Sequence, residues 1–133
     1  MSSNYVFSTL AIGPEYIYKV STLIDSVISL TNADLIVITD NVQEIENYIK
    51  SNELNNNRIK IINYYDVSDK NIWFGERQFN FNLKILPTRV AYDMHQYDMI
   101  IHIDADAFLL GWNEDEIQQC ISSDDVGMIA ILS

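Results

Sequence analysis

One cysteine, two prolines and four glycines are spread over 133 residues. The lone Cys120 excludes an internal disulfide, and with it the small disulfide-stapled scaffolds. So little proline and glycine excludes collagen-like and low-complexity chains and predicts regular elements with short connections. Basic residues are also scarce: 8 Lys and Arg stand against 19 Asp and Glu, a net charge of −11. Binding nucleic acid needs Lys and Arg clusters on the phosphates, so no nucleic-acid partner is expected. No transmembrane segment is expected either. The first apolar run, Tyr5 to Ile12, is too short for a span and stops at Gly13-Pro14. No secretory signal is visible, and with one cysteine the expected location is cytoplasmic.

What is present is an ordinary globular composition, 48% hydrophobic and 20% charged. A chain of this size buries roughly two-thirds of the surface its unfolded form exposes, enough for one core. Short apolar runs alternate with longer amphipathic stretches. Tyr5 to Ile12 reads as a strand, and Pro14 suits the first turn of the helix behind it. Ile17, Val20, Leu23, Ile24, Val27, Ile28 and Leu30 then recur at helical spacing up to Thr31-Asn32. Leu35 to Thr39 is a second strand, apolar throughout as if covered on both faces. Asp40-Asn41 can cap the next helix, Val42 to Ser51.

Arg58 to Tyr64 reads as a third strand, Asp66 to Gln78 as a loop, and a helix falls within Phe79 to His95. Pro87 either kinks that helix or starts it. Met99 to Ile103 is a fourth strand, Asp115 to Ser122 a short helix and Val126 to Leu132 a fifth strand. This alternation predicts the α/β class: a Rossmann-like, mostly parallel sheet with flanking helices, formed by residues 1–133 as one domain.

In open parallel sheets, ligands bind beyond the carboxyl ends of the strands. The fourth strand runs straight into Asp104-Ala105-Asp106. In extended backbone, residues i and i+2 share a side, so both carboxylates can approach one cation. Two carboxylates that close repel unless a cation or proton lies between them. A hard ion such as Mn²⁺ or Mg²⁺ prefers oxygen ligands and can be shared with phosphates. An acidic protein binding a diphosphate needs such a cation. The plainer reading is that the two aspartates only end the strand and shape a turn.

The run Tyr97-Asp98-Met99-Ile100-Ile101-His102-Ile103-Asp104-Ala105-Asp106-Ala107-Phe108-Leu109-Leu110 resembles the DxD region of GT-A glycosyltransferases, in which an apolar strand ends in Asp-x-Asp. Leu10-Ala11-Ile12-Gly13, followed by Tyr16, is similar to the first strand of the blood-group and α-galactosyl transferase type. The resemblance implies the donor-binding portion of a metal-dependent enzyme that takes a nucleotide sugar, with a UDP-sugar expected. It implies that Asp106 ligates the metal, and that Asp104 contacts the metal and the ribose. Ala11 and Ile12 would present backbone to the uracil, with Tyr16 against the base and Asp40 near it. Helix packing for Tyr16 and a helix cap for Asp40 are the plainer readings. Such enzymes often aim a basic residue from the preceding helix at the diphosphate. Lys84 is the best-placed candidate, ahead of Arg89 and Arg77; Lys84 and Arg89 lie about 140° apart on a helix, so at most one of them faces the site.

Other residues carry weaker signals. His102 shares a side of the strand with Asp104 and is expected to be a hydrogen-bonded core or interface histidine rather than a ligand. His95 is expected at a helix end, against the terminal carbonyls. Trp73, Phe74, Trp112, Phe79 and Phe81 are candidates for a sugar pocket, with core packing the default. Cys120 has no catalytic setting. The acceptor half normally follows the DxD in this family, so the chain is expected to lack it and to hold a donor better than to turn it over. Two other readings stay open. One is a non-catalytic binding module. The other is a haloacid-dehalogenase-type phosphotransferase, in which the first Asp is a nucleophile; that motif usually opens its domain.

Overall fold

The computed structural model of the chain describes residues 4–54, 57–67 and 76–122, the side chains of 76–84 excepted. In chain order the elements are β1 (Tyr5–Ala11), α1 (Pro14–Leu30), β2 (Asp34–Thr39), α2 (Val42–Ser51), β3 (Ile59–Asn63), a single turn α3 (Tyr64–Val67), α4 (Glu76–Asp93), β4 (Met99–His102) and α5 (Glu114–Ser122). The four strands form one all-parallel sheet in the order β3-β2-β1-β4. The expected α/β class is therefore the class observed. The strand expected over Val126 to Leu132 lies outside the described residues.

Two cores explain why β1 and β2 are apolar on both faces. On one face Phe7, Leu35, Val37, Ile101 and Ile103 pack with Val20, Leu23, Ile24 and Val27 of α1 and with Ile45 and Ile49 of α2. On the other, Val6, Ile36 and Ile38 pack with Leu86 and Ala91 of α4. The alternation of faces along each strand follows from the period of two. The register pairs Ser8 of β1 with Ile36 on one side and with His102 on the other.

The chain's punctuation is local. Gly13 takes φ 90, a conformation that disfavours side chains, and Pro14 then opens α1. Thr31 closes α1 with its amide and its hydroxyl, both donating to the Val27 carbonyl at 3.0 and 2.8 Å. Asn41, and not Asp40, caps α2: its Oδ1 accepts from the Glu44 amide at 3.3 Å, and its Nδ2 donates back to Glu44 Oε2 at 3.1 Å. His95 ends α4 in the left-handed region with φ 52, and its backbone amide donates to the Tyr92 carbonyl at 3.1 Å. Among the described residues, no helix is long and apolar enough to cross a membrane.

α4 differs from the expected helix in where it starts. Its first turn is Glu76-Arg77-Gln78, expected to be loop; of the two places open to Pro87, it takes the one inside the helix. Polar helix formers carry no apolar periodicity, so a pattern built on apolar spacing misses a polar first turn.

Candidate functional site

The strand order reverses between β1 and β4: α1 leads from β1 to β2 on one side, and α4 carries the chain from β3 back to the other. In such sheets the crevice beyond the carboxyl ends at the reversal is where ligands bind. Three loops meet the solvent along that edge: Ile12-Gly13 after β1, Asp40-Asn41 after β2 and Asp104-Ala105-Asp106 after β4.

The last of these is built differently from the extended strand that the spacing suggested. The ladder continues one residue past β4, where the Ile103 amide donates to the Ser8 carbonyl at 3.0 Å. The backbone then closes a turn, the Ala107 amide donating to the Asp104 carbonyl at 3.0 Å. Asp is a favoured first residue of such turns. Ile103, Ala105 and Ala107 are buried in the first core, while Asp104 and Asp106 are exposed. The small alanines let the turn lie flat on the apolar core, so both carboxylates stay on the solvent side without extended backbone. Beyond it, the Leu109 amide donates to Ser26 Oγ of α1 at 3.0 Å, tethering the loop to the helix.

The β1–α1 junction stands beside this turn. Ala11 is fully buried, and Ile12 and Gly13 are half-buried. Asp40 does not cap α2; its Oδ1 accepts from the Gly13 amide at 3.1 Å. That bond joins the loops after β1 and β2 and holds Gly13 in its positive-φ turn. Tyr16, in the first turn of α1, is 43% exposed.

One cation is close to Asp106, and it is not the expected one. The Lys19 ammonium is held above its ordinary range, first by a 2.8 Å hydrogen bond to Glu15 and by that carboxylate's charge, then by the charges of Asp106 and Tyr16. Glu15 is lowered in turn by the same bond. Lys19 lies one helical turn beyond Tyr16, in the helix that starts at the end of β1. A basic residue in the second turn of the helix that follows β1 is a signal the sequence itself carries. Lys84 lies in α4, and its side chain is outside the described residues, as are those of Arg77, Phe79 and Phe81. Arg89 is half-exposed and points along its own helix, 3.9 Å from Asp93.

The aromatic candidates divide. Trp112 belongs to the core side: its ring stacks on Tyr5 at 6.0 Å and meets Phe7 edge-on at 5.0 Å, and its Nε1 donates to the Tyr5 hydroxyl at 2.8 Å. Trp73 and Phe74 lie outside the described residues. His102 Nε2 stands 3.5 Å from Asp104 Oδ1. Its Nδ1 is buried without a hydrogen-bond partner, so the bonding expected of a core or interface histidine is not seen at that nitrogen.

Among the described residues, no group of three or more His, Cys, Asp or Glu side chains is arranged to hold a cation alone. Two exposed carboxylates offer oxygen donors, the ligand type that hard cations prefer. The chain matches no protein-family model and no curated protein.

Proposed function

We propose that this carboxyl edge binds the diphosphate of a UDP-sugar through Mn²⁺ or Mg²⁺ held at Asp104 and Asp106, as the donor-binding portion of a metal-dependent, GT-A-type glycosyltransferase. The observation that carries the reading is the placement of both carboxylates. They stand exposed on one turn, directly beside the β1–α1 junction at the reversal of strand order. Here the residues on either side of the crevice have complementary tasks. Asp104 and Asp106 supply anionic oxygens, while the amino end of α1 and Lys19 supply the positive field that a diphosphate needs in a chain of net charge −11. The bound cation would neutralise charge on the departing diphosphate.

The other candidates find roles in the same frame. Ala11 and Ile12 carry backbone to the edge where a uracil would lie, Tyr16 offers a ring face to it, and the Asp40–Gly13 bond keeps that edge in shape. The helix before β4 still offers Lys84 as a second cation for the diphosphate.

The test is a calorimetric titration of UDP with and without Mn²⁺, repeated on Asp106→Ala. Binding that requires Mn²⁺ and is lost in the variant supports the reading. UDP binding that ignores both the metal and the mutation sinks it. Trapping of aluminium fluoride or beryllium fluoride at Asp104 would shift the assignment to phosphoryl transfer. No binding under any condition would leave a non-catalytic module.

A further inference from the structure

Two polar atoms lie buried and unpartnered side by side behind the aspartate turn. Ser8 is fully buried in the central strand, and its Oγ has no hydrogen-bond partner. His102, its register neighbour on β4, buries Nδ1 in the same state. Register partners in a parallel sheet share a face, and two residues earlier Val6 and Ile100 both pack in the core under α4. Ser8 Oγ and His102 Nδ1 therefore stand on the same face of strands about 4.8 Å apart. The opposite nitrogen of the ring, Nε2, is 3.5 Å from Asp104 Oδ1. The imidazole thus joins a buried polar spot to the first carboxylate of the turn.

A buried polar atom without a partner is costly, so two such atoms on neighbouring strands call for a shared one. A single water meets that need, donating to one group and accepting from the other. A hydroxyl such as Ser8 can donate to the water, which then donates onward to Nδ1. That order of donors makes Nδ1 the acceptor nitrogen and leaves the ring proton on Nε2, aimed at Asp104. Which nitrogen of a ligand-side histidine carries the proton is commonly set by the bond at the other nitrogen.

We propose that Ser8, through one buried water, fixes His102 in the Nε2–H tautomer, and that His102 in turn holds the Asp104 carboxylate in its cation-binding orientation. Both are positioning residues, and the cation part rests on the function proposed above. The arrangement gives one of the two buried polar residues of β1, Ser8 and Thr9, a task at the site, although Ser8 itself never meets the ligand.

The test begins with the unaltered protein. Nitrogen-15 NMR of the two histidines should show His102 with an unprotonated Nδ1 and a protonated Nε2, and Ser8→Ala should blur that state towards a mixture of tautomers. Mn²⁺ affinity, read by electron paramagnetic resonance, should fall about 10- to 100-fold in His102→Leu, the scale of lost outer-shell support. His102→Gln, whose amide can stand where Nε2 stands, should recover most of it. A proton found on Nδ1 overturns the proposal, as does a His102→Leu variant that keeps wild-type affinity while Asp106→Ala loses it. Failure of the wild type to bind Mn²⁺ overturns the functional reading and the cation half of this proposal together. The nitrogen spectrum still decides the tautomer in that case.

Discussion

At the amino ends of the strands, charged and phenolic side chains bond one another and the backbone; at the carboxyl ends Asp40 does so as well, bonding the Gly13 amide, but Asp104 and Asp106 stay in solvent. Just before β3, the Arg58 guanidinium donates to the carbonyls of Ala33 at 2.9 and 2.7 Å, Thr31 at 2.6 Å and Ile28 at 3.3 Å. It thereby places a cation at the carboxyl end of α1, whose last turn has no basic residue of its own. At the first residue of β2, Asp34 accepts from the Tyr97 hydroxyl at 2.8 Å, and Lys60 donates to that hydroxyl at 2.7 Å. At the first residue of β1, Tyr5 donates to Glu114 at 2.6 Å and accepts from Trp112. Along the opposite edge, Asp104 and Asp106 face solvent, and Lys19 bonds only its own helix neighbour within hydrogen-bond reach. The lesson is that one end of the sheet uses its polar groups for stability. The other leaves the carboxylates of Asp104 and Asp106 facing solvent.

The comparison can be broken at either end. The largest effect is expected at Asp106. Asp106→Ala should weaken Mn²⁺-dependent UDP binding by about 100-fold or more, the scale of a lost bond to a charged group. Its thermal midpoint should stay close to wild type, as for an exposed residue without internal partners. A large fall in the midpoint would show that the carboxyl edge also serves stability.

Arg58→Met should do the reverse. It strands three carbonyls at a helix end and should lower the unfolding free energy in urea by about 2–4 kcal/mol. UDP affinity in the folded variant should be unchanged. Tyr5→Phe comes next, with a loss of about 1–2 kcal/mol. It also carries a pH signature. Burial first, and then the hydrogen bond to Glu114, push the Tyr5 hydroxyl from 10.0 to about 12. A raised value favours the protonated, folded form, so this contribution is complete below pH 10 and is lost as the pH climbs from 10 to about 12. Alkaline unfolding followed by circular dichroism should therefore be less steep over that window in Tyr5→Phe than in the wild type. The smallest effect is expected for Lys19→Ala. Its thermal midpoint should not move, because both partners of its ion pair are well exposed. UDP binding should weaken roughly 3- to 10-fold as the diphosphate loses one nearby positive charge. Unchanged binding would remove Lys19 from the site and return the role to Lys84.

Much of the frame was legible in the residues. Apolar runs bounded by Gly13-Pro14, Thr31-Asn32 and Asp40-Asn41 mark β1, α1 and β2 almost to the residue, because caps and breakers act locally. The start of α4 was not legible, since Glu76-Arg77-Gln78 has no apolar rhythm to read. The aspartate pair was legible as a motif but not as a shape. Spacing suggested an extended segment, whereas burial of Ala105 and Ala107 bends it into a turn. Asp40 was legible as a polar residue after a strand, yet its partner, the Gly13 amide, lies on another loop and no local rule points to it.

The amino-acid sequence by itself determined the alternation of elements, hence the parallel α/β class, and the presence of two carboxylates at the end of a buried strand. These depend on side-chain periodicity and on short-range capping, which act over a few residues. Only the tertiary structure decided that Lys19 stands near Asp106, that Asp40 holds the β1–α1 turn, and that Ser8 lies beside His102. Those pairings join residues distant along the chain, and they depend on the register of parallel strands, which the crossover helices set through the packing of both faces of the sheet.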